Sequence, residues 1–238
     1  MNQRQAAKAR TRQQIVEAAA AEFAEHGYDG TSFASVAAAM NRPKSAVGYH
    51  LFPSKLDLAA AVVEQQQARW LEMAARTTEP AGLANLVTML LSACLDALRC
   101  PVAAGAIRVS QELGEAGQPL PRAFTWRGYT LEHFAVARGL DIDDPEAVRA
   151  ADLVISSTFG VLRTRATSRT AEATELQLRD LWSALFTGLG IAGADEVVRR
   201  VTPVSVAEPA DPALAEAPAP STHEAAADAA AEGGAPTA

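Results

Sequence analysis

Two prolines, Pro43 and Pro53, fence off a segment too short for more than about two helical turns, and between them stand Lys44, Ser45, Tyr49 and His50. Proline has no amide hydrogen to donate, so Pro43 suits the first turn of a helix, while Pro53 disfavours helical geometry at the residue before it. A helix this short cannot stand alone in water and must pack on neighbours. The neighbours are legible on both sides. Upstream, about Arg10 to His26 predicts a helix with Ile15, Ala19 and Phe23 on one face and Gly27 at its end. A second begins at Thr31 or Ser32 and turns Phe33, Val36, Ala37 and Met40 inward, before a break at Asn41 and Arg42. Downstream, Ser54 is a plausible N-cap for a long helix from about Lys55 to Arg76.

Further helices are predicted at about Pro80–Arg99, Pro101–Glu115, Pro121–Ala137, Pro145–Arg165 and Ala171–Leu189, most opened by a proline. Nearly half of the chain is apolar, but only 5% is aromatic and much of the rest is alanine, which favours helix over sheet. The fold class is therefore all-α. The last two predicted helices carry more apolar surface than one chain covers, including Leu178, Leu181, Trp182, Leu185 and Phe186, which points to a two-fold dimer seam. The domain reading is a basic flexible arm over 1–9, a helix-turn-helix unit over 10–54, a larger helical ligand-binding and dimerisation domain over 55–202, and a disordered tail over 203–238.

Net charge of −7 argues against a nucleic-acid partner until the charges are placed. From Pro203 onward stand Glu208, Asp211, Glu216, Glu224, Asp228 and Glu232 with no Lys or Arg, in an Ala/Pro-rich stretch with little to bury. The first fourteen residues carry Arg4, Lys8, Arg10 and Arg12 and no acid. Binding of a polyanion by the amino-terminal part alone fits this polarity. Whether those four cations meet DNA or only water stays open.

The opening residues lack the apolar core of a signal peptide, and the longest apolar run, Leu86 to Leu95, is too short to span a bilayer, so a cytoplasmic protein with no membrane partner is expected. Cys94 and Cys100 have no metal-ligand spacing, the four histidines are scattered, and no Gly-rich phosphate loop occurs. An enzyme is not expected, nor a cofactor or a metal.

A supporting helix, a tight turn and a short cationic helix form the layout of a helix-turn-helix reader. The stretch TRQQIVEAAAAEFAEHGYDGTSFASVAAAMNRPKSAVGYHLFPSKLDL, residues 11–58, resembles the amino-terminal domain of TetR-type repressors, with their I-x-x-A-A-x-x-x-F helix, G-Y-x-x-T-[ST], short V/I-A helix and F-x-[ST]-K. The resemblance implies an all-helical dimer with a DNA-reading head and a ligand-sensing domain. It departs at the turn, where Met40, Asn41, Arg42 and Pro43 replace the usual Ala-Gly-Val-[ST], and two registers one residue apart remain for the recognition helix. Tyr49 is the preferred family Tyr and contacts DNA in either register. The candidate DNA-binding residues are Thr31, Ser32, Arg42, Lys44, Ser45, Tyr49, His50 and Lys55. Lys44 can reach a guanine edge or a phosphate, Tyr49 and His50 the backbone, and Lys55 and the start of the second helix a phosphate. Arg42 goes to phosphate or to solvent.

A second patch, RCPVAAGAIRVSQELGEAGQPLPRAFTWRGY over residues 99–129, resembles the γ-butyrolactone autoregulator receptors of that family through Pro101, Val102, Arg108, Pro119, Leu120, Pro121 and Trp126. The resemblance implies Trp126 as a pocket residue, with Thr125 and Thr158 among the polar groups available beside it. The expected function is a homodimeric repressor that binds a pseudo-palindromic operator and is released by a small amphiphilic effector, such as a γ-butyrolactone-type signal of antibiotic regulation. The rivals are a pseudo-receptor for an antibiotic or an intermediate, and a helical small-molecule-binding protein without operator DNA.

Overall fold

In the computed structural model, which describes residues 3–47, 51–163 and 170–204, every regular element is helical. The elements are α1 (Gln3–Gly30), α2 (Phe33–Ala39), a single 3-10 turn (Lys44–Val47), α3 (Lys55–Arg76), α4 (Leu83–Arg99), α5 (Pro101–Glu115), α6 (Trp126–Arg138), α7 (Pro145–Arg163), α8 (Ala171–Gly188) and α9 (Ala194–Arg200). The all-α expectation holds. Helix α9 had no separate place in the sequence reading, because its seven residues are too few to show a period.

The start of α1 differs from expectation. The basic segment 1–9, read as a flexible arm, is helical from Gln3, and Arg4, Lys8 and Arg12 follow one another at four-residue spacing along it. The helix kinks at Gly27, whose φ of 73° and ψ of −178° break the helical path before the last turn.

The turn after α2 resolves the departure from the family pattern. Met40 is the C-cap, Asn41 adopts φ 52°, and the amides of Asn41 and Arg42 donate to the carbonyls of Ala38 and Ala37, each at 2.9 Å. This is a Schellman arrangement with Asn in the left-handed position that usually takes Gly. Ser32 and Ser35 close the other end of α2 with a reciprocal capping box, and Ser54 caps α3 by accepting from the Asp57 amide. Of the expected recognition helix, only the 3-10 turn and the residues from Leu51 onward are described.

One core joins α1, α2, the start of α3 and α5 through Ile15, Phe23, Val36, Phe52, Leu58, Val62 and Val109. A second joins α4, α6, α7, α8 and α9 around Leu91, Phe134, Leu178, Trp182 and Phe186. A third, smaller cluster holds Trp70, Met73, Met89, Ala93 and Phe124. Helix α5 passes against α1 so closely that a methyl group at Gly105 would fall inside the van der Waals radius of the Ala20 carbonyl oxygen.

Helix α6 starts at Trp126 and not at Pro121. The Gln67 side chain donates to the Pro121 carbonyl at 2.6 Å, a backbone group that a helix starting at Pro121 would need for itself, and accepts from the Ala123 amide at 2.9 Å. Such a tertiary competitor for backbone hydrogen bonds leaves no trace in the local pattern.

Candidate functional site

On the reading head, Ser32, Arg42 and Ser45 are exposed. The Ser32 hydroxyl is engaged in capping α2, and the Arg42 guanidinium donates to the Gln14 side chain at 3.1 Å. The Lys44 side chain, Tyr49 and His50 lie outside the described residues.

Two expected phosphate ligands are placed elsewhere. Thr31 is 2% exposed and its hydroxyl donates to the Gly27 carbonyl at 2.8 Å, so the side chain has no surface to offer a phosphate. Lys55 turns its ammonium inward. It donates to the Tyr28 carbonyl at 2.8 Å and the Thr31 carbonyl at 3.1 Å, and lies 4.2 Å from the centre of the Tyr28 ring. Two of its three protons are therefore spent joining the end of α1 to the start of α3.

Helix α5 grips α1 at the Gly27 kink. Arg108 donates to the Ala24 and Glu25 carbonyls at 2.9 and 3.0 Å, which would otherwise be orphaned at the helix end. It also pairs with Glu112 at 2.9 Å, and Glu112 accepts from the Tyr28 amide at 2.6 Å. Partial burial opposes ionisation of Glu112, but the Tyr28 N–H and the Arg108 guanidinium outweigh it and hold the carboxyl below its usual 4.5. A Cβ on Gly27 would collide with both side chains, so its glycine serves the grip as well as the left-handed φ.

Ile107 and Gln111, the immediate neighbours of those gripping residues, line two pockets. The larger, a cleft of about 280 Å³, is lined by Val63, Gln67 and Trp70 from α3, Ile107, Ser110, Gln111 and Gly114 from α5, Gln118, Leu120, Pro121 and Arg122 from the segment that follows, Phe124 and Trp126, and Phe159 from α7. A pocket of about 20 Å³ beside Cys94 and Thr158, and another of about 140 Å³ beside Arg108 and Leu162, also border Ile107. Trp126 borders the cleft and the inner pocket, edge-on to Trp70 at 5.3 Å and to Phe124 at 5.0 Å. Thr158 lines the inner pocket, but its hydroxyl already donates to the Val154 carbonyl and accepts from the Trp182 indole at 2.9 Å. Thr125 is not a cavity residue: it is exposed and caps α6 through the Gly128 amide. Burial pushes the Cys94 thiol up to about 12, so it remains a neutral part of the wall. Among the described residues, no cluster of His, Cys, Asp and Glu suits a metal ion.

The residues that sequence reasoning missed are Gln67, Trp70, Ile107 and Gln111. Their helical spacing was visible, but a cavity lining and a packed core share that period.

A kinked supporting helix, a capped short helix and a tight turn are the parts of a helix-turn-helix layout that the described residues contain, ahead of a helical body with a cleft of mixed polarity. Residues 15–62 match the model of bacterial regulatory proteins of the tetR family. Over most of its length the chain is similar to several solved structures. CprB from S. coelicolor A3(2), a TetR family protein, is 26% identical, with 80% of this chain and 97% of that chain covered and a TM-score of 0.62; its complex with its biological operator sequence has also been solved. A protein described for the control of antibiotic production by bacterial hormones is 29% identical, covering 75% and 96% at a TM-score of 0.58. A γ-butyrolactone receptor (ArpA-like protein) shares the fold at 22% identity, covering 81% and 97% with a TM-score of 0.62. No curated protein matches the chain.

Proposed function

We propose that the protein is a ligand-responsive transcriptional repressor that binds a pseudo-palindromic operator as a homodimer and is released by a small amphiphilic effector of the γ-butyrolactone type. The observation that carries this reading is the double use of α5, which presents Ile107 and Gln111 to the cavity and Arg108 and Glu112 to the end of α1. A guest that moves α5 moves the helix supporting the reading head. Two heads must sit about 34 Å apart to enter successive major grooves. An effector that prefers the conformation with another spacing therefore weakens operator binding, and a shift from 1:99 to 99:1 needs roughly 10⁴-fold preference for the favoured state.

Arg42, Ser45, Lys44, Tyr49 and His50 are the proposed DNA contacts, with Lys8 and Arg12 on the basic face of α1. The proposed dimer seam is formed by α7 and α8, where Leu153 and Leu176 are 45% and 62% exposed. The test is a gel shift with DNA flanking the protein's own gene, followed by addition of alkyl γ-butyrolactones or antibiotics. Specific retardation reversed by a lactone supports the reading. Equal treatment of promoter and scrambled DNA overturns it, and release by an antibiotic alone assigns the pseudo-receptor.

A further inference from the structure

We propose that the first turns of α1 lie along the DNA backbone outside the base pairs that the reading head addresses, and hold flanking phosphates through a stripe of Arg4, Lys8 and Arg12. The helix starts at Gln3, yet its first buried residue is Ile15. Roughly 18 Å of helix, from Gln3 to Gln14, therefore stands outside the core. Arg4, Lys8 and Arg12 are all exposed, and their four-residue spacing puts them on one face.

Two contacts fix where the stripe begins. The Arg12 guanidinium lies 5.0 Å from the centre of the Phe52 ring, at the far end of the short segment between the two prolines. Gln14 accepts from Arg42, just before that segment, at 3.1 Å. The stripe thus leaves the reading head from beside both ends of the segment assigned to the major groove. Four residues of helix rise about 6 Å, close to the rise of two base pairs, about 7 Å, so successive cations can meet successive phosphates at that interval.

The chemistry selects a phosphate backbone. No acid precedes Glu17, and Glu17 accepts from the Gln13 amide at 2.7 Å. Like charges four residues apart destabilise the helix that carries them, and a row of phosphates removes that cost. From Gln3 to Gln14 the only apolar side chains are alanines, so there is no apolar face to enter a lipid surface. Lys and Arg set on phosphates respond to charge and carry no base preference.

The inference rests on the DNA-binding reading above. Hydroxyl-radical footprints are taken on DNA flanking the protein's own gene, for the wild type and for Arg4→Gln/Lys8→Gln, which removes the charges and keeps good helix formers. In the variant, protection outside the palindrome should vanish while protection within it remains at saturating protein. On a random-sequence duplex the logarithmic salt slope should fall by about two per protomer, and by about one for Lys8→Gln alone, which decides should the double variant not fold. Exchanging A·T for G·C pairs in the flanks should leave wild-type affinity unchanged. Retained outer protection with an unchanged slope overturns the inference and leaves the repressor reading intact. So does a flank-sequence preference, which would put these residues in the minor groove. Wild-type protein that protects no specific site overturns the repressor reading, while the salt slope on random DNA still tests the stripe.

Discussion

The Glu112 carboxylate accepts the backbone N–H of Tyr28 at 2.6 Å while its other oxygen binds Arg108, so one side chain of α5 ties off the kinked end of α1. Glu112→Ala leaves the Tyr28 amide and the Arg108 guanidinium without this partner. The expected loss is about 1–2 kcal/mol, since the ion pair is half exposed and part of its strength is screened, with weaker operator binding. Denaturant melts and gel shifts measure the two effects. Because the folded carboxyl lies below its ordinary 4.5, the contribution is complete above that pH and disappears as pH falls through the folded value. The melting curve of the variant should therefore depend less on pH than that of the wild type in this acid window.

Gly105→Ala places a methyl against the Ala20 carbonyl, a backbone group that cannot swing aside. The helices must separate, at a cost of about 1–3 kcal/mol. Thermal unfolding should show this, and operator binding should weaken more than the melt alone explains. A variant as stable as the wild type would mean that α1 and α5 do not cross this closely.

Lys55→Ala removes the bridge from α3 to the Tyr28 and Thr31 carbonyls. A stability loss of about 1–2 kcal/mol is expected. The logarithmic salt slope of operator binding should change little, because the ammonium is turned inward; a slope reduced by about one would restore Lys55 as a phosphate contact.

Arg69 and Asp96 form an ion pair between α3 and α4, at 2.6 Å with side chains 8% and 11% exposed, and Gln66 donates to the same carboxylate. Asp96→Ala removes the carboxylate that pairs with the buried guanidinium and should destabilise the fold by about 3 kcal/mol, whereas adding Arg69→Met should recover part of it, as a double-mutant cycle of denaturant melts would show.

The sequence by itself determined the helical class, the polarity of charge and the reading-head pattern, because a helical period, a cap such as Ser54 and a break such as Asn41 are local properties. Asn41 carries the turn that the family usually assigns to Gly, since its short side chain tolerates a left-handed φ. Only the tertiary structure decided that Thr31 is buried, that Lys55 is a brace, that Thr125 is a cap outside the cavity, and that Gln67 is committed to Pro121 and Ala123. Each of these depends on what a distant helix brings within hydrogen-bond reach. Chain spacing records which face a residue occupies, but not whether that face meets a carbonyl, a packed side chain or an empty space.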